Sequence, residues 1–212
     1  MTAATNRQAG YTVLEMVIVS LVLIPFFYLA YGSMDSLSDE TLSATVLADA
    51  ERKADQAAIL IAHHLRHAPL EEIEITETVS GSVEHVDFQK RVLDPTTGEV
   101  SLTGTFRVGF AVATDEAADA LDNNKNGITD EGMLYLTYPD GSQQTLIGNV
   151  LPNSLWLELP AEGERDVLLR FQTAHPLAPV TTPYQGIAVG GVYPDQADYH
   201  IITVTRRLAL RN

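Results

Sequence analysis

The chain has 212 residues, of which 45% are hydrophobic, a formal net charge of -15 at pH 7 and no cysteine. This length suits one globular domain with its own core and an appended helix. The acidic balance disfavours a nucleic-acid partner because a negative surface repels phosphate. The lack of cysteine excludes disulfides, thiolate metal sites and cysteine nucleophiles.

A polar segment is followed by an apolar one at the N-terminal end. Residues 1–10 contain a single charged side chain, Arg7, and no charge occurs over 16–31. About 20 apolar residues span a bilayer as a helix, and a cation ahead of them favours a cytoplasmic N-terminus. The sequence therefore predicts a membrane-spanning helix over 11–32.

Between the two segments lies Gly10-Tyr-Thr-Val-Leu-Glu15. A carboxylate at the edge of an apolar segment is costly in lipid and usually has a partner there. This placement of Gly10, Tyr11 and Glu15 resembles the processing and assembly signal of type IV pilins and pseudopilins. The resemblance implies that residues 1–10 are a leader, cut after Gly10 by a prepilin peptidase that also methylates the new amine on Tyr11. It further implies that Glu15, fifth in the mature chain, neutralises the amine of a neighbouring subunit.

Two other interpretations require only the apolar run. A secretory signal peptide has a short apolar region and a small-x-small cleavage site, but Glu15 interrupts this run and only Ala30-Tyr-Gly32 approximates such a site. A plain signal anchor explains the apolarity and gives no reason for the pattern Gly-aromatic-x-x-x-Glu. The pilin-like interpretation is favoured over both.

The helical pattern continues over 33–68 and becomes amphipathic. Steps of three and four residues give one apolar stripe: Leu47, Ala50, Ala54, Ala57, Ile61 and Leu65. Pro69 ends the pattern, and Pro25 is expected to loosen the helix within the membrane because it removes one hydrogen bond. This second half of the helix is predicted to be the spine of the domain.

Residues 69–212 change to the two-residue period of strands. Strands are expected over 73–76, 82–89, 100–112, 133–137, 144–150, 155–159, 166–171 and 199–210, and a loop over 176–191. The order predicts an α+β fold, a long N-terminal helix packed on an antiparallel sheet. The final strand pattern resembles that of W-type minor pilins and J-type minor pseudopilins.

The segment 122–131 spaces oxygen-bearing residues as an EF-hand-type calcium loop does, with Gly127 at the bend. The predicted Ca2+ ligands are Asp122, Asn124, Asn126, the backbone carbonyl of Ile128, Asp130 and Glu131. Met133 stands where such loops have a bidentate Glu, so Glu131, Asp115 or Glu116 would have to supply that carboxylate. The alternative is a polar turn around Asn126-Gly127.

Three histidines lie near the end of the predicted helix. His63 and His67 have the i, i+4 spacing of a metal pair, but such residues more often complement the negative end of a helix. His64 lies between them. No phosphate loop, dinucleotide fingerprint or nucleophile motif gives positive support to an enzyme.

The resemblance implies a structural minor pilin or pseudopilin of a type IV pilus or type II secretion system, near the filament tip. Its expected partners are the prepilin peptidase and other pilin or pseudopilin subunits. It would cross the bacterial inner membrane once, with a cytoplasmic N-terminus and a periplasmic or extracellular domain. Glu15 argues against the K-type tip pseudopilin, which lacks this residue. The alternative is a membrane-anchored extracellular binding protein or adhesin that binds through 176–191, and a third hypothesis is an anchored hydrolase.

Overall fold

The computed structural model describes residues 12–78, 81–116, 123, 128–160, 166–176 and 199–210. The chain divides into two compact units, Met1–Val46 and Leu47–Asn212. One helix, α1 (Val13–Leu65), supplies the described part of the first unit and the beginning of the second. α1 ends at Leu65, close to the predicted limit at residue 68.

The part of α1 in the first unit is apolar and exposed. Over Glu15–Met34 none of the apolar surface is buried within the protein. The helix continues through Pro25 without a break in its secondary structure. The hydroxyls of Ser20 and Ser33 donate to the carbonyls of Met16 and Leu29, one turn earlier, which removes unsatisfied polar groups from an apolar surface.

In its described residues the second unit contains the rest of α1, a short 3-10 helix and ten strands. The 3-10 helix is Leu70–Glu72. The strands are β1 (Ile73–Glu77), β2 (Val83–Phe88), β3 (Arg91–Leu93), β4 (Val100–Leu102), β5 (Phe106–Val112), β6 (Gly132–Thr137), β7 (Gln143–Val150), β8 (Trp156–Glu158), β9 (Asp166–Pro176) and β10 (Tyr199–Ala209).

Eight of these strands form one antiparallel sheet. Its order is β1-β2-β5-β6-β7-β9-β10, and β8 pairs with β9 beside β7. β3 and β4 form a separate two-stranded hairpin. The β6–β7 turn at Pro139-Asp-Gly141 holds Gly141 at φ 82°, a backbone conformation that glycine adopts without strain.

The main core lies between α1 and one face of the sheet. Ala50, Ala54, Ala57 and Ala58 are buried on the helix together with Ile61 and Leu65. Small alanine side chains let the helix backbone approach the sheet, where larger side chains fill the space. The sheet side of this core is formed by Val86, Phe88, Val108, Leu134, Leu136, Val167, Leu169, Phe171, Ile202, Val204 and Leu208.

A smaller core lies on the opposite face of the sheet. It contains Ile128, Leu151, Ala174, Tyr199 and Ile201. Successive residues of a strand point to opposite faces, so Ile201 enters this second core while Ile202 enters the main one. The final segment of the sheet is therefore covered by apolar side chains on both faces, and the second core adjoins the end of the predicted calcium loop.

The α+β prediction of an N-terminal apolar helix followed by an antiparallel sheet is confirmed. The single strand expected over 100–112 is wrong, because the chain leaves the β3–β4 hairpin at Thr103 and begins β5 at Phe106. The Thr103 N–H donates to the Lys90 carbonyl, which closes the hairpin before the chain turns into the main sheet. β9 runs to Pro176, beyond the predicted end at 171.

Candidate functional site

The first residues of α1 form a capping box. The Thr12 N–H and hydroxyl both donate to Glu15 Oε2, at 2.7 and 3.0 Å, and the Glu15 N–H donates to Thr12 Oγ1 at 3.3 Å. These reciprocal bonds satisfy backbone groups that a helix otherwise leaves unpaired at its N-terminus. The carboxylate of Glu15 is thereby fixed at the end of the apolar helix.

The pattern Thr12-x-x-Glu15 could have been read from the sequence as a capping signal, and the sequence interpretation missed it. Gly10 and Tyr11, the predicted processing residues, lie outside the described residues. Thr12, whose N–H bonds Glu15, directly follows Tyr11. A cleavage after Gly10 would thus leave the new amine one residue from the group that holds the carboxylate.

The helix that begins at this carboxylate is a candidate membrane span. Among the described residues, Glu15–Met34 is the one helical segment long and apolar enough to cross a membrane. A membrane anchor and a signal sequence at the N-terminal end of a chain both have this character. The finding supports an N-terminal apolar helix of either kind.

The predicted calcium loop is described only in part. Asp122, Asn124 and Asn126 lie outside the described residues, whereas Ile128, Asp130 and Glu131 lie within them. Ile128 is fully buried in the second core, and Asp130 is half-buried with φ 52°. The loop therefore returns to the sheet with its last three predicted ligands at or below the surface.

Glu131 is the only buried carboxylate among the described residues, with 2% of its surface exposed. Its backbone carbonyl accepts from the Ala113 N–H, which ties the end of the loop to the segment after β5. On that segment the Glu116 carboxylate accepts from the Asn123 N–H at 3.3 Å. Two carboxylates therefore lie at this loop. Both were considered in place of the missing bidentate Glu.

Met133 does not supply an oxygen to the loop. It lies in β6, where its sulfur accepts from Thr145 Oγ1 of β7 at 3.5 Å. In the described part of the chain no group of three His, Asp or Glu side chains is close enough to hold a metal ion. The calcium site therefore depends on the three predicted ligands that precede Ile128.

The histidine cluster contains an interaction that the sequence did not reveal. His64 is buried, and Lys90 Nζ lies 2.6 Å from its Nδ1. An ammonium group only donates, so Nδ1 must accept and the ring is neutral. Lys90 Nζ also lies 4.0 Å from the centre of the Phe106 ring, a cation–π contact.

Burial lowers the pKa of His64 to about 4, and the neighbouring charges of Lys90, His63 and His67 act in the same direction. Burial also lowers the pKa of Lys90 below its ordinary value. Phe106 and Tyr138 contact the His64 ring edge to face. The central histidine therefore joins the helix to the sheet as a neutral acceptor, while His63 remains exposed.

Among the described residues of the second unit, the β3–β4 hairpin carries most of the large exposed apolar side chains. Val92, Leu93, Val100 and Leu102 are between 45% and 63% exposed. Leu93 pairs with Val100 and Arg91 with Leu102, so Leu93, Val100 and Leu102 share one face. Contiguous exposed apolar side chains of this kind mark interaction surfaces.

Comparisons with known proteins gave no match: no family model, no curated protein and no solved structure is similar to the chain.

Proposed function

We propose that this protein is a pilin-like structural subunit, a minor pilin or minor pseudopilin that is cut after Gly10. It would be anchored in the inner membrane and assembled into a type IV pilus or a type II secretion pseudopilus. The observation that carries this proposal is a carboxylate, Glu15, at the N-terminal end of an exposed apolar helix, five residues after a glycine. The α+β order of helix and sheet supports it as well.

The capping box gives Glu15 a second possible role, which the experiment must separate from assembly. As a cap, Glu15 acts within its own chain through Thr12. As an assembly residue, it acts through its negative charge on the amine of a neighbouring subunit. Glutamine serves in a capping box as glutamate does, so Glu15→Gln keeps the cap and removes the charge. Thr12→Ala removes the hydroxyl that belongs to the cap and keeps the charge of Glu15.

The test is co-expression of the full chain with a prepilin peptidase and the subunits encoded beside it. Mass spectrometry of the product is expected to show a methylated N-terminus at Tyr11, in both variants as in the wild type. Sheared filaments are expected to contain wild type and Thr12→Ala but little Glu15→Gln. A product that keeps residues 1–10 would overturn the proposal. Equal incorporation of Glu15→Gln would assign Glu15 to capping alone.

We propose further that the 122–131 loop binds calcium for structural stability. A buried carboxylate is normally paired or coordinates a cation, and Glu131 and Glu116 bring two carboxylates to this loop. Calcium prefers such oxygen ligands. Bound calcium would supply a fixed positive charge that draws the loop onto the second core.

Calcium titration into the full chain in detergent is expected to raise its melting temperature. Asp122→Ala is expected to abolish that rise, whereas Asp140→Ala, at an exposed turn carboxylate outside the loop, is expected to retain it. An unchanged melting temperature in the wild type would remove the calcium site.

A second candidate function, a membrane-anchored binding protein or adhesin, is supported by the exposed β3–β4 hairpin. Its predicted surface over 176–191 lies largely outside the described residues. It would use the hairpin to contact an extracellular ligand without other subunits. Replacement of Leu93 and Val100 by serine would then reduce adhesion of cells that lack filaments, whereas a pilin-like subunit would show reduced incorporation into filaments.

A further inference from the structure

A groove runs beside β10, the last strand of the sheet. Its volume is about 750 Å³. Ala48, Glu51, Arg52 and Asp55 of α1 line one wall, and 200–206 line the other. Within the described residues β10 pairs with β9 and with no other strand. The groove therefore follows a free strand edge.

The backbone hydrogen bonds show which residues of β10 face this groove. The Gln172 N–H donates to Ser154 Oγ, and the Gln172 carbonyl accepts from the Leu151 N–H. Both groups of Gln172 therefore point away from β10. Its partner across the pair is Thr203, whose own N–H and carbonyl must point away from β9 in an antiparallel ladder. By alternation Ile201, Thr205 and Arg207 also present their backbone groups to the free edge.

This edge lacks several of the features by which proteins protect exposed strands, although it carries the charged side chains of Arg206 and Arg207. Such features are short length, proline, bulges and lysine side chains. β10 pairs with β9 through eleven consecutive residues without a register shift, and it contains no proline, glycine or lysine. Thr203 and Thr205 are short and exposed. An added strand would meet a straight and accessible ladder.

The opposite edge of the same sheet is β1, which in the described part of the chain pairs only with β2. Six antiparallel steps separate β1 from β10 along the sheet. An even number of reversals makes the two edge strands run in the same direction. A second copy shifted sideways without rotation would therefore place its β1 parallel to β10 and keep the orientation of the first.

The outer faces of the two edges carry opposite charge. β10 contains no carboxylate. On the side that faces α1, His200 and Arg206 lie against Glu51 and Asp55, so Arg207 supplies the positive charge of the outer face. β1 contains Glu74 and Glu77 and no cation. Ile73 and Ile75 belong to or pack against the main core, as Val204 and Leu208 do. Alternation then puts Glu74 and Arg207 on the same outer face of the sheet.

We propose that β1 of a second copy of this chain adds to the free edge of β10 in parallel. Backbone hydrogen bonds supply the attraction and the Glu74–Arg207 pairing supplies the register. Because the contact joins two different edges, it is heterologous and extends into a row of co-oriented copies. Anchoring in one membrane raises the effective concentration of the copies. The contact goes beyond the proposed function and does not require cleavage after Gly10.

The test is thiol crosslinking of the full chain in membranes. No native thiol competes with the introduced ones, because the sequence has no cysteine. Because the proposed strands are parallel, the Glu74–Arg207 register puts Thr76 opposite Ala209. Thr76→Cys and Ala209→Cys place one thiol on each edge, and both positions are exposed on the outer face. Co-expressed copies carrying one change each are expected to form a dimer with a short bismaleimide. The control pairs Ala209→Cys with Ser101→Cys, an exposed residue of the β3–β4 hairpin.

Charge exchange provides the second measurement. Arg207→Glu or Glu74→Lys in both partners is expected to lower the Thr76–Ala209 crosslink about fivefold at low salt. Both changes together are expected to restore it. A Thr76–Ala209 yield no higher than the control would overturn the proposal, as would efficient crosslinking of Ala209→Cys to itself, since that product requires a symmetric contact.

Discussion

Acidification is expected to weaken the contact between His64 and Lys90. The bond from Lys90 Nζ requires an unprotonated Nδ1, and burial lowers the pKa of His64 from 6.5 to about 4. The unfolded chain therefore takes up a proton at higher pH than the folded chain. The free energy of unfolding is unaffected above pH 6.5 and falls as the pH drops from there toward 4.

The size of the effect follows from the two pKa values. Between pH 7 and pH 5, linkage with 6.5 and about 4 gives a loss of about 2 kcal/mol. The ring borders on solvent through the exposed His63 side, so screening reduces the expected loss to about 1 kcal/mol. His64→Asn removes the titration and keeps an acceptor for Lys90, so its stability should fall less over this range by the same amount.

Urea unfolding of the full chain in detergent at pH 7 and pH 5 measures this difference. The comparison between variant and wild type cancels other acid-sensitive groups, such as His175, whose pKa is also lowered by burial. His63→Asn, at the exposed neighbour, should alter the pH dependence much less than His64→Asn, because burial is the largest cause of the lowered His64 pKa and the charge of His63 is a smaller one. If His64→Asn and the wild type lose equal stability between pH 7 and pH 5, the buried neutral histidine is refuted.

Three further substitutions test the packing by urea unfolding. Phe171→Ala should lower the free energy of unfolding by about 3–5 kcal/mol because the side chain is fully buried; a loss below about 1 kcal/mol would contradict its place in the core. Gly132→Ala should cost about 1–3 kcal/mol because a Cβ there overlaps the Ala111 carbonyl, whereas Gly148→Ala, with open space around it, should change little. Arg206→Met should cost less than about 1 kcal/mol, since it removes an exposed ion pair to α1.

The helix and most strands could be predicted because their burial repeats along the chain. The stripe from Leu47 to Leu65 follows the helical period, and five of its six residues are buried. The strand expected over 100–112 has apolar residues throughout, but its first part is exposed hairpin and its second is core. Local pattern does not show whether an apolar residue is covered, because the cover comes from distant segments.

The candidate sites also divide into those formed by residues close in sequence, which could be predicted, and those formed by distant residues, which could not. The Thr12–Glu15 box joins residues three apart and is visible in the sequence. The His64–Lys90 bond joins residues 26 apart and depends on how α1 lies beside the segment between β2 and β3. Glu131 could be proposed from the sequence as an oxygen ligand, but its burial could not, because that depends on the folded chain around it.

The sheet is completed late in synthesis. Arg206 of β10 contacts Asp55 of α1, 151 positions earlier, and β10 contributes to both cores. At roughly 5–20 residues per second, a ribosome needs on the order of ten to thirty seconds to make the chain between these two residues. During that interval the residues of both cores that pack against β10 lack their final neighbours. The domain is therefore expected to reach its full packing only after nearly the whole chain has been made.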